Sequence, residues 1–132
     1  VTRVRKMFRE HVEDYRAKGE AIRNAELFRE YFAISVCPSE GLDSPTVVGA
    51  QAANELLNII GVKASFVLTD YRNTIYISAR SIDEINVQIV MERLGGGGHL
   101  NIAGAQLEHY SIAEAKDVLK QTLQKMLDEG DI

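Results

Sequence analysis

Four consecutive glycines followed by a histidine form the stretch of this chain whose residue types best suit chemistry: Gly95, Gly96, Gly97, Gly98 and His99. Glycine loses more chain entropy on folding than any other residue, so four in a row are not expected in a packed helix or strand. Backbone N–H groups without side chains can instead curl around an anion, and the histidine can donate to it. The residues that follow at 101–105 are small enough for close approach. The pattern predicts a phosphate-binding loop.

Arg80 and Ser81 form a second candidate anion site. They lie between an alternating apolar segment, which is typical of a strand, and the sequence Ser-Ile-Asp-Glu at 81–84, which has capping-box spacing. A helix N-terminus has unpaired N–H groups and partial positive charge. A guanidinium at that position would help to hold an anion, and it would supply the positive side chain that the glycines lack.

The glycine run also has a plainer interpretation, a flexible hinge, because a glycine run alone is weak evidence for a site. Ordered apolar segments flank the run, which argues against a linker. The run is not a Walker A loop, since no Gly-Lys-Ser/Thr follows, and it is not a dinucleotide-binding fingerprint, since the glycines are contiguous. No His, Asp, Glu or Cys residues have metal-ligand spacing, and no Ser-His-Asp arrangement is visible. These features predict a domain that binds a phosphorylated ligand but lacks the side chains needed to hydrolyse it.

Composition limits the class of protein. The chain has 132 residues, of which 45% are hydrophobic and 26% charged, as expected of one globular domain. The net charge of −4 argues against a protein that grips long nucleic acid by charge alone. The one cysteine, Cys37, cannot form an internal disulfide, which favours a reducing compartment. His11 and His109 are interpreted as surface or packing residues. There is no membrane-spanning run or signal peptide, and the missing initiator Met predicts a piece of a longer protein.

The elements that must position these residues follow from periodicity. Residues 1 to about 30 predict one long charged helix with apolar residues seven apart, either a surface helix of this domain or a connector from a preceding domain. After it we expect a strand at 31–36, a helix opened by Ser44 and Pro45, a hairpin over 62–80, and a helix from Ser81 to about 93. A short helical start at 99–103, a strand at 105–110 and a capped helix from 111 to about 128 complete the chain. The order predicts an α/β (α+β) fold with a mixed four- to five-stranded sheet and helices packed on it.

Several segments together resemble a known family. The segments are Ile-Ser-Ala-Arg-Ser at 77–81, Ile-Asn-Val-Gln at 85–88, Met-Glu-Arg-Leu-Gly-Gly-Gly-Gly-His at 91–99 and Ala-Gly-Ala at 103–105. They resemble the C-terminal, DHH-associated domain of the DHH phosphoesterase superfamily, and most closely that of the membrane-anchored bacterial cyclic di-AMP phosphodiesterases. The resemblance covers the whole chain: residues 1–30 look like the connector helix from a DHH catalytic domain, and 31–132 like the substrate-binding domain.

The resemblance implies that catalysis and substrate binding reside in different domains. A preceding DHH domain would hold two metal ions, usually manganese, for phosphodiester cleavage. The DHH motif itself is not in this chain. The chain alone is therefore expected to be inactive. Arg80 and the loop Gly96 to His99 would hold phosphates and nucleotide, with help from Ser81 and Asn86. The expected ligand is a cyclic dinucleotide or short nucleotide. A homodimer is possible. The parent protein would be membrane-anchored with this domain on the cytoplasmic side, making no membrane contact itself.

Two other functions remain open from the motifs. One is the same domain in a nanoRNase, phosphoadenosine phosphatase or RecJ-type exonuclease. The other is a non-catalytic nucleic-acid-binding module, similar to the related domain of alanyl-tRNA synthetase, although the acidic charge disfavours it.

Overall fold

The computed structural model describes residues 11–132, which form four helices and a six-stranded sheet. The helices are α1 (Val12–Arg23), α2 (Pro45–Leu56), α3 (Val87–Arg93) and α4 (Ile112–Glu129). The strands are β1 (Glu26–Phe28), β2 (Phe32–Cys37), β3 (Ala64–Tyr71), β4 (Thr74–Ser81), β5 (Gly97–Gly98) and β6 (Ile102–Glu108).

The sheet is mixed, with strand order β1-β2-β3-β4-β6-β5. Strands β2 and β3 are parallel and are joined through α2, while the other neighbouring pairs are antiparallel. The predicted hairpin is β3–β4, and its turn residues Arg72 and Asn73 both have left-handed φ, 52° and 63°. Two such residues match the right-handed twist of the flanking strands, which is why a two-residue turn suffices.

Two apolar clusters lie on opposite faces of the sheet. The larger one packs β2, β3, β4 and β6 against α3 and α4 and includes Phe66, Ile77 and Leu123. The smaller one packs β2 and β3 against α1 and α2 and includes Ala21, Ala52 and Val67. Cys37 lies in the smaller cluster, where burial, together with nearby acidic residues, raises the pKa of its thiol to about 11. The long central strands β2, β3, β4 and β6 thus each have at least one face in a core, as a stable sheet requires.

The predicted fold class is confirmed: a mixed sheet carries packed helices. The sheet has six strands rather than four or five because β1 and β5, with three and two residues, are too short to show an alternating pattern. The strand expected at 31–36, the hairpin and the helices at 45 and 112 lie close to their predicted positions. The last helix has the predicted capping box between Ser111 and Glu114.

Two predicted helix starts are wrong. Ser81 is the last residue of β4, and α3 begins six residues later, at Val87. The Ser81 hydroxyl donates to the Ile85 carbonyl at 2.6 Å, and Asp83 has φ 56°, so residues 82–86 form a loop instead. No helix begins at His99 either: its N–H donates to the Ile102 carbonyl at 2.7 Å and closes a hairpin turn.

The first predicted helix ends earlier than expected. Helix α1 stops at Arg23, because residues 26–28 leave the helix to form β1 beside β2. It packs through Ala17 and Ala21, while Tyr15, on the predicted apolar stripe, is 58% exposed. The part of the predicted helix at 1–10 lies outside the described residues.

Among the residues that the structure describes, no helix combines the length and apolarity that a membrane crossing requires.

Candidate functional site

On one sheet face, the covering helices end at the edge of β4. On the side of α1 and α2, the core cluster takes its strand residues from β2 and β3, and none of its described members lies on β4, β5 or β6. We call the uncovered region the open face. Its members, which share this face by alternation and register, are Thr74, Tyr76, Ser78, Arg80, Gly97, Ile102, Gly104, Gln106 and Glu108.

Arg80 is the cation of the open face. Its Nε donates to Asn54 Oδ1 of α2 at 3.0 Å, and its Nη1 donates to the Ala79 carbonyl at 2.9 Å. The side chain is half-buried, and burial lowers the pKa of the guanidinium, which nevertheless stays charged at neutral pH. Within the described residues no carboxylate lies at ion-pair distance from it. A positioned, partly desolvated cation without a counter-charge can bind an anion strongly.

The first two glycines of the run end helix α3. Gly95 has φ +85°, a conformation that favours glycine, and its N–H donates to the Glu92 carbonyl at 3.1 Å. The Gly96 N–H donates to the Met91 carbonyl at 2.8 Å. These two bonds form a Schellman motif, which caps the helix C-terminus. Both N–H groups are therefore already used, and the run does not form a cradle of free N–H groups as the sequence suggested.

The next glycines lie flat against β6. Gly97 and Gly98 form β5, opposite Gly104 and Ala103, so the expectation that the run has no place in a strand was wrong. A Cβ on Gly96 would lie 2.0 Å from the Gly104 carbonyl oxygen, and one on Gly98 would lie 2.5 Å from the Ile102 oxygen. Contacts this short are impossible, so the fold itself requires glycine at both positions.

Gly97 differs from its neighbours. No heavy atom lies within 4 Å of where its Cβ would stand, and its φ lies outside the range that strains other residues. Its missing side chain would project from the open face, since it pairs with Gly104 there. The fold thus explains three glycines of the four, and at Gly97 it leaves a bare surface that a ligand could approach.

His99 lies at the Arg80 end of the open face. Its N–H bonds to Ile102, and Ile102 is the residue directly opposite Arg80 in the β4–β6 register. Its side chain is exposed. Because His99 and Ile102 form a hydrogen-bonded pair, the next pair, Gly98 with Ala103, is a non-hydrogen-bonded one. The Gly98 N–H therefore points to the free edge of the sheet. An anion beside Arg80 would therefore have donors available from His99 and from this edge.

Ser81 and Asn86 are not on the open face. Ser81 is buried and, besides its bond to Ile85, accepts from Asn101 Nδ2 at 2.9 Å, which ties two loops together. Asn86 is the N-cap of α3, and its Oδ1 accepts from the Ile89 N–H at 3.3 Å. The predicted anion site at a helix start after Arg80 therefore does not exist, because α3 begins elsewhere and its Val87 N–H donates to Leu100.

The other end of the open face forms a groove of about 680 Å³, which the sequence motifs did not predict. Its lining side chains and backbone come from α2, β4, β6 and the glycine run, and include Thr46, Tyr76, Ser78, Gly96, Gly104 and Gln106. The available signal was the alternation of β4, which places Tyr76 and Ser78 on the face of Arg80. What the pattern could not show is that α2 leaves this part of the face uncovered.

Residues 11–132 contain no group of three or more His, Cys, Asp or Glu side chains that could hold a metal ion. The described part of the chain therefore does not fit a two-metal centre, and we assign no metal chemistry to it.

Comparison with known proteins gives the family. The DHHA1 domain family matches residues 30–127, a range that contains Arg80, the glycine run and the groove. The chain belongs to the DHHA1 domain family. The predicted resemblance to DHH-associated domains is thereby confirmed.

Relatives of this DHHA1 domain are much longer proteins. It is 38% identical over 96% of its length to the cyclic-di-AMP phosphodiesterase GdpP of Geobacillus thermodenitrificans. It is 39% identical, also over 96% of its length, to the cyclic-di-AMP phosphodiesterase GdpP of Bacillus subtilis. The chain spans 19% and 20% of those two proteins.

A solved structure has the same fold. An exopolyphosphatase-related protein from Bacteroides fragilis superposes with a TM-score of 0.79 at 25% identity. The match covers 92% of this chain and 37% of that one. The arrangement of sheet and helices described above is therefore a known architecture.

Proposed function

We propose that this DHHA1 domain binds the substrate of a cyclic dinucleotide phosphodiesterase that hydrolyses cyclic di-AMP to linear pApA. The observation that carries the proposal is Arg80, a half-buried guanidinium on the open face with no described carboxylate partner. A phosphodiester supplies the missing negative charge. The identity to cyclic-di-AMP phosphodiesterases supports the choice of substrate.

Each residue has a part in this proposal. Arg80 binds a phosphate, with Asn54 fixing the direction of the guanidinium. His99 donates to the same phosphate or its neighbour, and Gly97 lets the ligand approach the backbone closely. Ser81 and Asn86 contribute indirectly, by holding the loops on either side of α3.

The remaining parts belong to the longer protein. On this proposal residues 1–30 connect to a preceding DHH domain, residues 31–132 form the substrate-binding domain, and two metal ions, manganese in the family, are held by the DHH domain. The parent protein is anchored in a membrane, with this domain on the cytoplasmic side. The hydrolytic activity resides in the two domains together, and this chain alone binds without cleaving.

The test is calorimetric titration of the 132-residue chain with cyclic di-AMP and with pApA. Arg80→Ala should weaken binding roughly 10- to 100-fold, because a charge-assisted hydrogen bond is lost. His99→Ala should weaken it about 10-fold. Both variants should stay folded at the temperature of the titration: Arg80→Ala breaks no described ion pair and loses hydrogen bonds only to Asn54 and to the Ala79 carbonyl, and the exposed His99 side chain makes no described hydrogen bond.

A matched control is Arg23→Ala, which removes the same charge from the exposed end of α1. It should leave affinity unaltered. Equal affinity of wild type and Arg80→Ala would contradict the proposal. So would failure of the full-length protein to hydrolyse cyclic di-AMP, and preferential cleavage of short linear oligonucleotides would support the nanoRNase alternative instead.

A further inference from the structure

The groove on the open face lies in line with Arg80. Arg80, Ser78 and Tyr76 project from the same face of β4 at two-residue spacing, so the row spans about 13 Å. The groove surrounds the Tyr76 end of this row and has a volume of about 680 Å³. Pockets for small ligands in proteins are of this size, and a phosphate at Arg80 would leave it empty.

Tyr76 offers a flat apolar surface in the groove. Its ring is half-buried, and the ring of Tyr71 lies 6.4 Å away at an angle of 48°, which supports it from the side of β3. The guanidinium of Arg72 in turn lies 4.9 Å from the centre of the Tyr71 ring. An aromatic ring held in this way can stack on a nucleobase.

Gln106 lies directly opposite Tyr76 in the β4–β6 register. Opposed residues on one face have Cβ atoms about 5 Å apart, so the amide lies at the edge of anything stacked on the ring. Gln106 is exposed, and its side chain makes no hydrogen bond to any residue that the structure describes. A glutamine amide presents one donor and one acceptor, which matches the adenine edge that carries N6 and N7.

The charges around the groove give the ligand a direction. Glu108 lines its outer end, two residues beyond Gln106 on β6, and its carboxylate disfavours a phosphate there. Arg80 attracts the phosphate to the opposite end. The bare backbone of Gly96 and Gly104 forms a wall of the groove where a planar ring can approach closely.

We infer that this groove is a nucleobase subsite, in which the ring of Tyr76 stacks on an adenine and the amide of Gln106 reads its N6 and N7. The inference rests on the proposed function and adds to it the residues that select the base. It assigns the phosphate to the Arg80 end of the open face and the base to the Tyr76 end.

The experiment measures affinities of the 132-residue chain for cyclic di-AMP and cyclic di-GMP. Tyr76→Leu should weaken cyclic di-AMP binding roughly 10- to 100-fold, and Tyr76→Phe, which keeps the ring, should lose less. Gln106→Glu should lower the preference for cyclic di-AMP over cyclic di-GMP at least about 10-fold, because a carboxylate repels adenine N7 and accepts from the N1–H and N2–H₂ of guanine.

The matched control is Gln121→Glu, the same chemical change at an exposed position of α4 on the other side of the sheet. It should leave both affinities as in the wild type. Gln106 is exposed, so its variant keeps the fold even if Tyr76→Leu does not.

The outcomes separate this inference from the proposed function. If Arg80→Ala loses affinity while Tyr76→Leu and Gln106→Glu bind as the wild type does, the subsite is wrong and the proposed function stands. An unchanged base preference in Gln106→Glu would show that Gln106 does not recognise the base. If the wild type binds neither cyclic dinucleotide and the full-length protein hydrolyses neither, the proposed function fails and the subsite fails with it.

Discussion

Neighbouring strands β3 and β4 present the same face of the sheet, yet their residues on that face have different roles. The opposed pairs are Ser65 with Arg80, Val67 with Ser78, and Thr69 with Tyr76. Helix α2 buries all three β3 residues, and the Ser65 hydroxyl donates to the Ala53 carbonyl at 2.6 Å. The three β4 residues stay half-exposed, and Arg80 has no described counter-charge.

The difference separates polar groups that serve the fold from those available to a ligand. A buried hydroxyl must find a partner within the protein, because an unpaired one costs about 1–3 kcal/mol. Under α2 this requirement is met at Ser65. On the open face it need not be met, since water or a ligand can supply the partner. Substitutions on the two sides should therefore affect different measurements.

The largest effect is expected beside the open face, at Gly96. Gly96→Ala would place a Cβ 2.0 Å from the Gly104 carbonyl oxygen and 2.7 Å from the Ala105 Cα. Backbone cannot move aside cheaply, so the free energy of unfolding should fall by about 3 kcal/mol, the upper end of overpacking costs. Urea denaturation followed by circular dichroism would measure it. A change below about 0.5 kcal/mol would show that Gly96 does not pack on β6 as described.

Gly97→Ala is the matched control for this prediction. Its Cβ would meet no heavy atom within 4 Å, so the free energy of unfolding should stay the same or rise slightly. Affinity for cyclic di-AMP should nevertheless fall, because the added methyl group projects from the open face. Unaltered affinity would mean that the glycine run serves the fold and takes no part in binding.

The opposed pair Val67 and Ser78 tests the two sides of the comparison directly. Val67→Ala should lower the free energy of unfolding by about 2–3 kcal/mol, through lost apolar burial and the cavity under α2. Ser78→Ala should change it by less than about 0.5 kcal/mol, since Ser78 is half-exposed. Equal costs from the same denaturation experiment would show that the open face is covered in solution.

Much of this architecture could be predicted from the sequence, because the relevant signals are local. The alternation of β4 placed Tyr76, Ser78 and Arg80 on one face, and the Ser111–Glu114 box marked the last helix. The helix start at Ser81 was wrong because its hydroxyl bonds to Ile85 and not to a helical N–H. Capping-box spacing cannot distinguish these two partners.

The candidate site was predicted in part. Arg80, His99 and the glycine run do come together at one part of the sheet, as their types suggested. The roles of the individual glycines could not be predicted, because Gly96 and Gly98 are set by contacts with β6, which is formed by later residues. The groove at Tyr76 depends on where α2 lies, and α2 precedes β4 by eighteen residues along the chain.

The smallest predicted effect concerns a second half-exposed charge, Glu26, whose situation is opposite to that of Arg80. Its Oε1 lies 3.2 Å from Lys120 Nζ and 3.3 Å from Lys116 Nζ. Desolvation raises the pKa of Glu26, but the two ammonium groups outweigh it and the pKa lies below its ordinary value of 4.5. A carboxyl with a lowered pKa stabilises the fold above pH 4.5, and that contribution is lost as the pH falls through the pKa of the folded state.

Glu26→Gln should therefore lower the free energy of unfolding at pH 7 by less than about 1 kcal/mol, because the pair is solvent-screened. The difference from wild type should shrink as the pH falls below 4.5 and disappear once the pH is below the lowered pKa of the folded state, where the wild-type carboxyl is protonated too. Arg80→Gln breaks no described ion pair but loses the hydrogen bonds to Asn54 and to the Ala79 carbonyl, so its cost of about 1 kcal/mol should be the same at either pH. Urea denaturation at pH 7 and at a series of lower pH values checks both predictions: a pH-independent cost at Glu26 would contradict the stabilising ion pair, and an Arg80 cost that disappears at low pH would mean that Arg80 is paired with a carboxylate in the fold and is not available to a ligand.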